Sequence, residues 1–292
     1  MEQLVYLNGR LLPRGQARIS AFDHGFLYGF GLFETMRSYS GHVFRLGRHL
    51  DRLARSAELL GLPPTSLDLE SACYDTLKAN GLSNARIRLA VSMGEGEGTP
   101  EAPAEPKPTV FVAAAAYTPP SPGRYQDGFK ALISSVRQNS QSPLSRLKSA
   151  NYLTSLLARR EAREAGMDEA LLLNERGFLC EASTGNLFLA KGDCLVTPGV
   201  DSGCLPGVTR QAVLELATAV GIRSEERGTA PEELQGADEA FFTNSLLEIM
   251  PLCEIDRSPI GGAGGVEPGR RMTRRLMSAY AELVATETKS RP

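Results

Sequence analysis

Two pairs of strand-like segments in the second half of the chain are joined by very short turns. In EALLLNERGFLCEAS the turn covers residues 174–177, and in NLFLAKGDCLVTP it covers residues 191–193. Strands joined by so few residues pair antiparallel, because a parallel pair needs a crossover of a dozen or more residues. The opening segment QLVYLNGRLLP adds a hairpin around its Asn-Gly dipeptide. The chain is therefore expected to contain largely antiparallel sheets.

Segments with helical spacing alternate with these strands, which predicts an α+β fold. RLGRHLDRLARSAELLGL carries leucines at helical intervals and ends at Gly61, and LDLESACYDTLKANGL ends in the same way at Gly81. Further helices are predicted just after Lys148, in GVTRQAVLELATAVG and in RRMTRRLMSAYAELVATE. Further strands are predicted in ARIRLAVSM, TVFVAAAAY, KALISSV and ADEAFFTNS.

A chain of 292 residues is long enough for two domains, and TPPSPGRYQDG is the best candidate for the segment between them. We predict a smaller N-terminal α/β domain at residues 1–118, a linker at 119–127, and a larger C-terminal domain with mainly antiparallel sheets at 128–292. The loop GEGEGTPEAPAEPKP, residues 94–108, lies inside the first domain. Loops of this length are more often functional than idle, although its path does not follow from the sequence.

Composition excludes several classes of function. A net charge of -2 gives no electrostatic footprint for nucleic acid or an anionic membrane, and the longest apolar run, VFVAAAAY, is too short to cross a bilayer. The five cysteines form no C-x-x-C pair and there are three histidines, so we expect neither disulfides nor a metal site. With no N-terminal signal pattern, a cytoplasmic location is expected.

Lysine is the scarce cation, since six of the 32 basic residues are lysines, and Lys148 stands just before a helical run in SRLKSANYL. By position alone it reads as an ordinary solvated lysine. A deprotonated lysine amine can also attack a carbonyl, which arginine cannot do, and nearby Arg146, Leu147 and Tyr152 offer the charge and partial burial that lower a lysine pKa. Both interpretations remain open at this point.

Three further segments could serve a flat, phosphorylated ligand. Glu181 in GFLCEASTGNLFLA is followed by small residues and is either an exposed turn carboxylate or a partner for a protonated ring nitrogen. SGCLPGVTRQAVLEL opens a helix after a Pro-Gly turn with Thr209 in its first turn, and free amides at a helix N-terminus bind phosphate. FFTNSLLEIMPL ends a strand in polar residues, which form an anion cup or a simple turn. Together these features match the needs of pyridoxal 5'-phosphate.

Over almost its full length the chain resembles the fold-type IV pyridoxal-phosphate enzymes, which include branched-chain aminotransferases, D-amino acid aminotransferases and aminodeoxychorismate lyases. Six blocks carry the resemblance in order: DHGFLYGFGLFETMR, FRLGRHLDRL, LKSANYL, CEASTGNLF, LPGVTR and TNSLLEIMPL. The resemblance implies a two-domain α+β fold, pyridoxal phosphate as cofactor, an amino acid and a 2-oxo acid as substrates, and a homodimer in which the first domain's loops complete the neighbour's site.

The resemblance also implies a role for individual residues. Lys148 matches the lysine that forms the imine with the cofactor, Glu181 matches the partner of the pyridine nitrogen, and Arg52 matches the phosphate-binding arginine. The remaining cofactor contacts carried over in this way are Tyr152, Leu205, Val208, Thr209 and Ser245. Candidates for substrate binding are Phe33, Thr35, Arg37, Arg86, Arg88 and Leu246, of which the three arginines are either carboxylate-binding groups or members of structural ion pairs.

The resemblance does not single out one reaction. Thr35 stands where branched-chain enzymes usually have glycine, and FET looks like the lyases, whereas Glu248 matches the aminotransferases. Met93 replaces the carboxylate-binding arginine of D-amino acid aminotransferases. We therefore predict an aminotransferase acting on an amino acid, of branched-chain type, and a 2-oxo acid such as 2-oxoglutarate. The first alternative is aminodeoxychorismate lyase, which releases 4-aminobenzoate and pyruvate, and the second is a D-amino acid or amine transaminase.

Overall fold

The computed structural model of the chain describes residues 2–261 and 270–289. The chain divides into two compact units, and neither is continuous in sequence. The first comprises Met1–Thr118, Leu147–Asn151 and Val284–Pro292, and the second comprises Pro119–Arg146 and Tyr152–Leu283. Within the range 128–292, residues 262–269 and 290–292 lie outside the described part. The α+β class predicted from the sequence is confirmed.

The first unit is built on a six-stranded sheet in which every pairing is antiparallel. Its strands are β1 (Leu4–Leu7), β2 (Arg10–Pro13), β3 (Gly31–Tyr39), β4 (His42–Val43), β5 (Ala85–Ser92) and β6 (Thr109–Ala116). They lie in the order β2-β1-β6-β5-β3-β4. The predicted Asn-Gly turn joins β1 to β2, and Asn8 and Gly9 both adopt positive φ, 48° and 89°, as a tight hairpin turn requires.

Three helices belong to the first unit: α1 (His24–Tyr28), α2 (Leu46–Leu60) and α3 (Leu69–Ala79). As predicted, α2 ends at Gly61, which has φ 66° and no Cβ to strain this left-handed position. Alternate residues of β3, β5 and β6 form the core with residues of α2 and α3, including Met36, Ile87 and Val112. The opposite face of β3 and β5 carries five of the six candidate substrate residues, namely Phe33, Thr35, Arg37, Arg86 and Arg88.

Strand β3 is not among the strands predicted from the sequence, although it is central to the site. Its core-facing positions include Leu32 and Met36, but the position between them is occupied by Glu34, which is fully buried. A charged residue on the inner face interrupts the alternation of apolar and polar residues by which strands are recognised. The exception has a structural reason, because Glu34 is paired inside the unit, as described below.

The second unit contains a nine-stranded sheet that mixes both kinds of pairing. Its strands are β7 (Phe129–Gln138), β8 (Glu169–Asn174), β9 (Leu179–Ala182), β10 (Asn186–Lys191), β11 (Cys194–Pro198), β12 (Arg223–Arg227), β13 (Glu239–Asn244), β14 (Glu248–Ile255) and β15 (Ser258–Pro259). The order is β12-β11-β10-β13-β14-β7-β8-β9, with β15 beside β14. Pairs β11-β12, β14-β7 and β7-β8 are parallel and the others are antiparallel. The two hairpins predicted at residues 174–177 and 191–193 are confirmed.

Four helices begin in the second unit: α4 (Pro122–Asp127), α5 (Leu153–Glu164), α6 (Val208–Ala219) and α7 (Arg271–Glu287). Helix α4 lies in the segment expected to be a linker, because Ser121 and Pro122 supply a helix start there. The N-terminus of α7 is held by Glu239 of β13, whose carboxylate accepts hydrogen bonds from the amides of Met272 and Thr273 at 2.9 and 2.7 Å.

Candidate active site

Lys148 lies in a short segment that joins the sheet of the first unit. We call residues Leu147–Asn151 the lysine segment. The amide of Phe33 donates to the carbonyl of Lys148 at 2.8 Å, and the amide of Ala150 donates to the carbonyl of Gly31 at 2.8 Å. These bonds make an antiparallel extension along the start of β3. Lys148 therefore has a backbone position fixed by strand pairing, although the residues on both sides of the segment belong to the second unit.

The side chain of Lys148 lies over an aromatic ring that also receives an arginine. Nζ of Lys148 is 4.7 Å from the centre of the Phe33 ring, and Cζ of Arg88 is 3.3 Å from the same centre. Nη1 of Arg88 also lies 3.4 Å from the hydroxyl of Thr35, its cross-strand neighbour. The structure thus brings together three predicted substrate residues, Phe33, Thr35 and Arg88, and places Nζ of Lys148 over the ring of Phe33.

The other two predicted arginines lie farther along the same sheet face. Arg37 of β3 and Arg86 of β5 are directly opposed across the strands. The guanidinium of Arg37 is placed between two tyrosine rings, 4.4 Å from the centre of Tyr39 and 5.0 Å from that of Tyr117. This stacking gives Arg37 a packing role beyond its charge. Arg86 is exposed at the surface of the sheet.

A cavity of about 470 Å³ opens on this face of the first unit. The rings of Phe26, Phe33 and Phe111 and the guanidinium of Arg88 line it, and Ala150 brings the lysine segment into its wall. Its lining is mostly apolar, with the cation of Arg88 and the carboxyl group of Asp23, which accepts hydrogen bonds from the hydroxyls of Ser92 and Thr109. Such a cavity is suited to an apolar ligand that carries an anionic group.

The loop at residues 94–108 is anchored beside this cavity. The carbonyl of residue 94 accepts a hydrogen bond from the amide of His24, and the amide of Gly96 donates to the carbonyl of Phe22 at 3.1 Å. The ring of His24 is fully buried against Gly96, since a Cβ at position 96 would lie 2.1 Å from its Nε2. The hydroxyl of Tyr28 donates to the carbonyl of Gly98 at 2.6 Å. The start of the loop is thereby tied to α1 and the residues before it.

Arg52 lies on the inner face of the sheet, in contact with Glu34. Nε and Nη2 of Arg52 donate to the two carboxylate oxygens of Glu34 at 2.8 and 2.6 Å. Nδ1 of His49, one turn earlier in α2, lies 2.7 Å from Oε2 of the same carboxylate. All three side chains are more than nine-tenths buried. The arrangement is a planar two-bond pair of the kind that fixes both partners in orientation.

The charges of this cluster follow from its surroundings. Burial alone would raise the pKa of Glu34, but the charge and hydrogen bonds of Arg52 and His49 hold it at about 2. Burial lowers the pKa of His49, and the charges of Arg52 and Lys148 act in the same direction against the opposing effect of Glu34. The cluster is therefore an ionised Arg52–Glu34 pair with a neutral His49.

Glu181 is held in a fixed orientation at the end of β9 in the second unit. Its Oε2 accepts hydrogen bonds from the amide of Leu205 at 3.0 Å and from Nδ2 of Asn186 at 3.3 Å. The same Nδ2 donates to the carbonyl of Leu205 at 2.7 Å. Asn186 is not among the residues predicted from the sequence, although it stands in the block that contains Glu181. The structure thus brings together the predicted residues Glu181 and Leu205 through an amide side chain.

The N-terminus of α6 lies against the same asparagine. Gly207 occupies the N-cap position, where no side chain caps the helix, and a Cβ there would lie 2.0 Å from Oδ1 of Asn186. Val208 and Thr209, the next two residues, are buried. Opposite Asn186 on β13 stands Thr243, whose buried hydroxyl has no hydrogen-bond partner among the described residues. Uncapped amides and such a hydroxyl make this end of α6 suited to an anion.

The remaining predicted residues lie at the start of α5 and in a turn of the second unit. The hydroxyl of Tyr152 donates to the carbonyl of Ser183 at 3.3 Å, and burial, followed by the charges of Glu181 and Glu169, raises its pKa. Ser245 and Leu246 lie in the turn between β13 and β14. There the side-chain oxygen of Asn244 accepts from the amides of Leu246 and Leu247 at 3.0 and 2.8 Å.

Metal-binding clusters and membrane-spanning helices are absent from the described part of the chain. No group of histidine, cysteine or acidic side chains in residues 2–261 and 270–289 has the arrangement of a metal site. No helix within these ranges is both long and apolar enough to span a membrane. All five cysteines are free thiols. Met93, which replaces an arginine of the D-amino acid aminotransferases, is buried in the core of the first unit.

Residues 31–255 match the family model described as amino-transferase class IV. The chain is 41% identical over 255 residues to a putative branched-chain-amino-acid aminotransferase of Methanocaldococcus jannaschii, covering 86% of this chain and 88% of that protein. It is 36% identical over 266 residues to the aminodeoxychorismate lyase of Bacillus subtilis, covering 90% of each. Both relatives span nearly the whole chain.

Solved structures agree with this match. The branched-chain amino acid aminotransferase of Escherichia coli superposes with a TM-score of 0.91 at 30% identity, covering 100% of this chain and 97% of that one. The branched-chain aminotransferase of the archaeon Thermoproteus uzoniensis, solved with norvaline, superposes with a TM-score of 0.88 at 32% identity, covering 99% and 97%. The chain therefore shares its fold with these enzymes over almost its whole length.

Proposed function

The chain belongs to the class IV aminotransferase family, and we propose that it transfers the amino group of a branched-chain amino acid to a 2-oxo acid such as 2-oxoglutarate. Enzymes of this family depend on pyridoxal phosphate, and we propose that this chain binds the same cofactor. One observation carries the proposal. The lysine segment forms part of a largely apolar cavity into which Arg88 brings a cation.

The residues present fit this cofactor. The uncapped helix N-terminus at Gly207 and the hydroxyl of Thr243, which no described residue pairs, are polar groups that suit a phosphate. Because residue 207 is a glycine, no Cβ occupies the space taken by the side-chain oxygen of Asn186. Val208, Thr209 and Ser245 would contact the phosphate, and Arg52 would contribute a cation. Leu205 and Tyr152 would lie beside the ring.

When bound, the cofactor supplies a carbonyl that reacts with amines and a ring that accommodates negative charge. Lys148 would hold it covalently through Nζ. When it is not bound to the cofactor, the unprotonated Nζ of Lys148 would be the base that takes the proton from the substrate Cα. Glu181, held by Leu205 and Asn186, would keep the ring nitrogen protonated by offering it a carboxylate.

Substrate recognition would use the outer face of β3 and β5. An apolar side chain fits the phenylalanine-lined cavity, and Arg88 offers a charge-assisted contact to a carboxylate. Arg37 and Arg86 extend the positive face beyond it, and Leu246 would add an apolar contact. Two substrates of different polarity, a branched-chain amino acid and 2-oxoglutarate, could then use neighbouring parts of one surface.

The proposal is tested by adding single amino acids to the purified protein without any 2-oxo acid and recording the absorbance spectrum. L-Leucine should convert the cofactor to its amino form within one turnover, and 2-oxoglutarate should restore the first spectrum. A protein that takes up no pyridoxal phosphate, or whose cofactor responds to no amino acid, would contradict the proposal. D-Alanine serves as the stereochemical control.

Aminodeoxychorismate lyase is a second candidate, favoured by a specific contact. Thr35 places a hydroxyl 3.4 Å from Arg88 at the position where branched-chain enzymes usually have glycine. The 36% identity to the Bacillus subtilis lyase points the same way. Supplying 4-amino-4-deoxychorismate and assaying pyruvate separates the two reactions. Pyruvate release without any response to L-leucine would favour the lyase.

We further propose that the chain works as a homodimer in the cytoplasm. Large apolar side chains are exposed on the segment before and within α1, where Phe26 is 75% and Phe22 55% exposed, and on α5, where Leu153 is 71% exposed. Large apolar side chains exposed to this degree are typical of surfaces that meet a partner. Free cysteines are consistent with a reducing compartment. Light scattering should give twice the chain mass, and Phe26→Asp should lower it.

A further inference from the structure

Glu34 is a buried carboxylate for which the proposed chemistry has no use. It makes two nearly parallel hydrogen bonds with Arg52, at 2.8 Å to Nε and 2.6 Å to Nη2, and a third contact of 2.7 Å with Nδ1 of His49. Its side chain is 1% exposed. An ion pair so deeply buried gains little net stability over apolar side chains of similar size. Its retention in the core calls for another explanation.

The pair fixes which side of Arg52 is available to other groups. A guanidinium held through Nε and one Nη is engaged along one edge, so its plane and direction are determined by the carboxylate. Arg52 also has a long side chain that would otherwise sample many rotamers. His49, one turn before Arg52 in α2, also contacts the carboxylate of Glu34. The carboxylate therefore has little rotational freedom of its own. Glu34 thus sets the direction of the Arg52 cation.

The strand that carries Glu34 also positions Lys148. Phe33 donates its backbone amide to the carbonyl of Lys148, and Glu34 is the next residue. Successive residues of a strand are separated by about 3.3 Å along its axis. Lys148, the proposed attachment point of the cofactor, and the Arg52 cation are therefore both positioned by two successive residues of β3, Phe33 and Glu34. A shift of this strand would displace both together rather than change their spacing.

We propose that Glu34 is a positioning residue for the cofactor phosphate, acting through Arg52 with His49 as its support. This inference rests on the proposed function, because it assumes that Arg52 meets the phosphate of pyridoxal phosphate. Glu34 itself does not touch the cofactor. What it contributes is the orientation of the cation, and hence the ability of the protein to distinguish pyridoxal phosphate from pyridoxal, which has no phosphate.

The test compares the dissociation constants of pyridoxal phosphate and pyridoxal for cofactor-free protein, by absorbance titration of the lysine adduct. Wild-type protein should prefer pyridoxal phosphate strongly. Glu34→Gln should reduce that preference about 10-fold to 100-fold, the size expected for loss of a well-formed charge-assisted contact. Its affinity for pyridoxal should be unchanged. Catalytic activity is not needed for this measurement.

A double-variant cycle separates positioning from a general effect on folding. Arg52→Met should lower the same preference at least as much as Glu34→Gln does, and adding Glu34→Gln to it should cause no further loss, because both changes act through one guanidinium. Glu239→Gln is the matched control: it alters a buried carboxylate with three hydrogen-bond donors in the second unit. It should lower thermal stability and leave the ratio of the two constants unchanged.

The outcomes are distinguishable. Wild-type protein that takes up neither compound would overturn the proposed function, and this inference with it. Wild-type preference retained in folded Glu34→Gln would overturn the inference alone. If Glu34→Gln does not fold, Arg52→Lys replaces it, since it keeps the charge but cannot make the two-bond contact. Full preference in Arg52→Lys would show that charge without orientation is sufficient, which also overturns the inference.

Discussion

The carbonyl of Lys148 accepts a hydrogen bond of 2.8 Å from the amide of Phe33, and Nζ of Lys148 lies 4.7 Å from the centre of the Phe33 ring. Backbone and side chain are therefore both placed by one residue of β3. The two contacts are separable by substitution, because the first involves only backbone atoms.

Lys148→Ala should remove the proposed reaction without unfolding the protein. The strand pairing of the lysine segment uses backbone groups and should survive the change, whereas the amine that we propose holds the cofactor and moves the proton is lost. Turnover should fall by at least about 10²–10⁴-fold, the usual contribution of a positioned base. Circular dichroism should be unchanged and the cofactor absorbance band absent. Lys191→Ala, at an exposed lysine of the second unit, is the control and should keep both band and turnover.

Arg88→Leu should impair the 2-oxo acid half of the reaction more than the amino acid half. Arg88 lines the cavity as its cation, and losing a charge-assisted contact to the distal carboxylate of 2-oxoglutarate costs about 1.5–3 kcal/mol, or roughly 10-fold to 100-fold in KM. Conversion of the cofactor by L-leucine should change less. Stopped-flow measurement of each half-reaction checks this. Arg86→Leu, whose side chain does not line the cavity, should have the smaller effect, and equal losses in both variants would contradict the assignment.

Gly96→Ala should destabilise the first unit. The added Cβ would lie 2.1 Å from Nε2 of the buried His24, a clash that only movement of the ring or of the loop can relieve. Overpacking of this kind costs about 1–3 kcal/mol. Gly47→Ala in α2, where a Cβ meets nothing within 4 Å, should instead be neutral or stabilising by up to about 1 kcal/mol. Thermal melts of both variants measure the contrast.

Acid should weaken the first unit through Glu34. Its pKa is held at about 2 in the folded chain, below the ordinary value of 4.5, so the unfolded chain binds the proton more readily. The resulting stabilisation is complete above about pH 4.5 and is lost as the pH falls toward 2. Urea unfolding between pH 3 and pH 6 should show this loss in wild-type protein. The free energy of unfolding of Glu34→Gln should depend less on pH over the same range. Near neutral pH it should be lower than that of wild-type protein by about 3–5 kcal/mol, because Arg52 then loses its buried charged partner.

The helices and hairpins follow from local sequence patterns. Periodic leucines and a terminal glycine are sufficient to locate α2, and the short turns are sufficient to locate the hairpins. Strand β3 escapes such patterns because its inner face carries Glu34. The sequence of α2 nevertheless indicates a buried polar partner for this helix, because His49 and Arg52 occupy the same face as Leu46 and Leu53. Polar residues on an apolar helix face indicate a buried polar partner.

Long-range pairings could not be derived in this way. Nothing near Lys148 indicates that its segment adds to a strand more than a hundred residues earlier, since backbone pairing leaves little trace in side-chain pattern. The contact of Asn186 with Glu181 and Leu205 likewise depends on how β9, β10 and the start of α6 come together. Resemblance to a known family located Glu181 and Leu205 individually, and the structure adds the bonds that hold them.

The discontinuity of the first unit affects how this protein can be divided. A fragment that stops at residue 118 retains β3 but lacks the lysine segment, so the start of that strand would present unpaired amides and carbonyls, an edge prone to association with other chains. A fragment beginning at residue 119 would carry Lys148 without the strand that orients it. Division of the chain after residue 118 would therefore separate Lys148 from the strand with which its segment pairs. The five residues of the lysine segment therefore couple the integrity of the first unit to a stretch of chain that lies beyond residue 118.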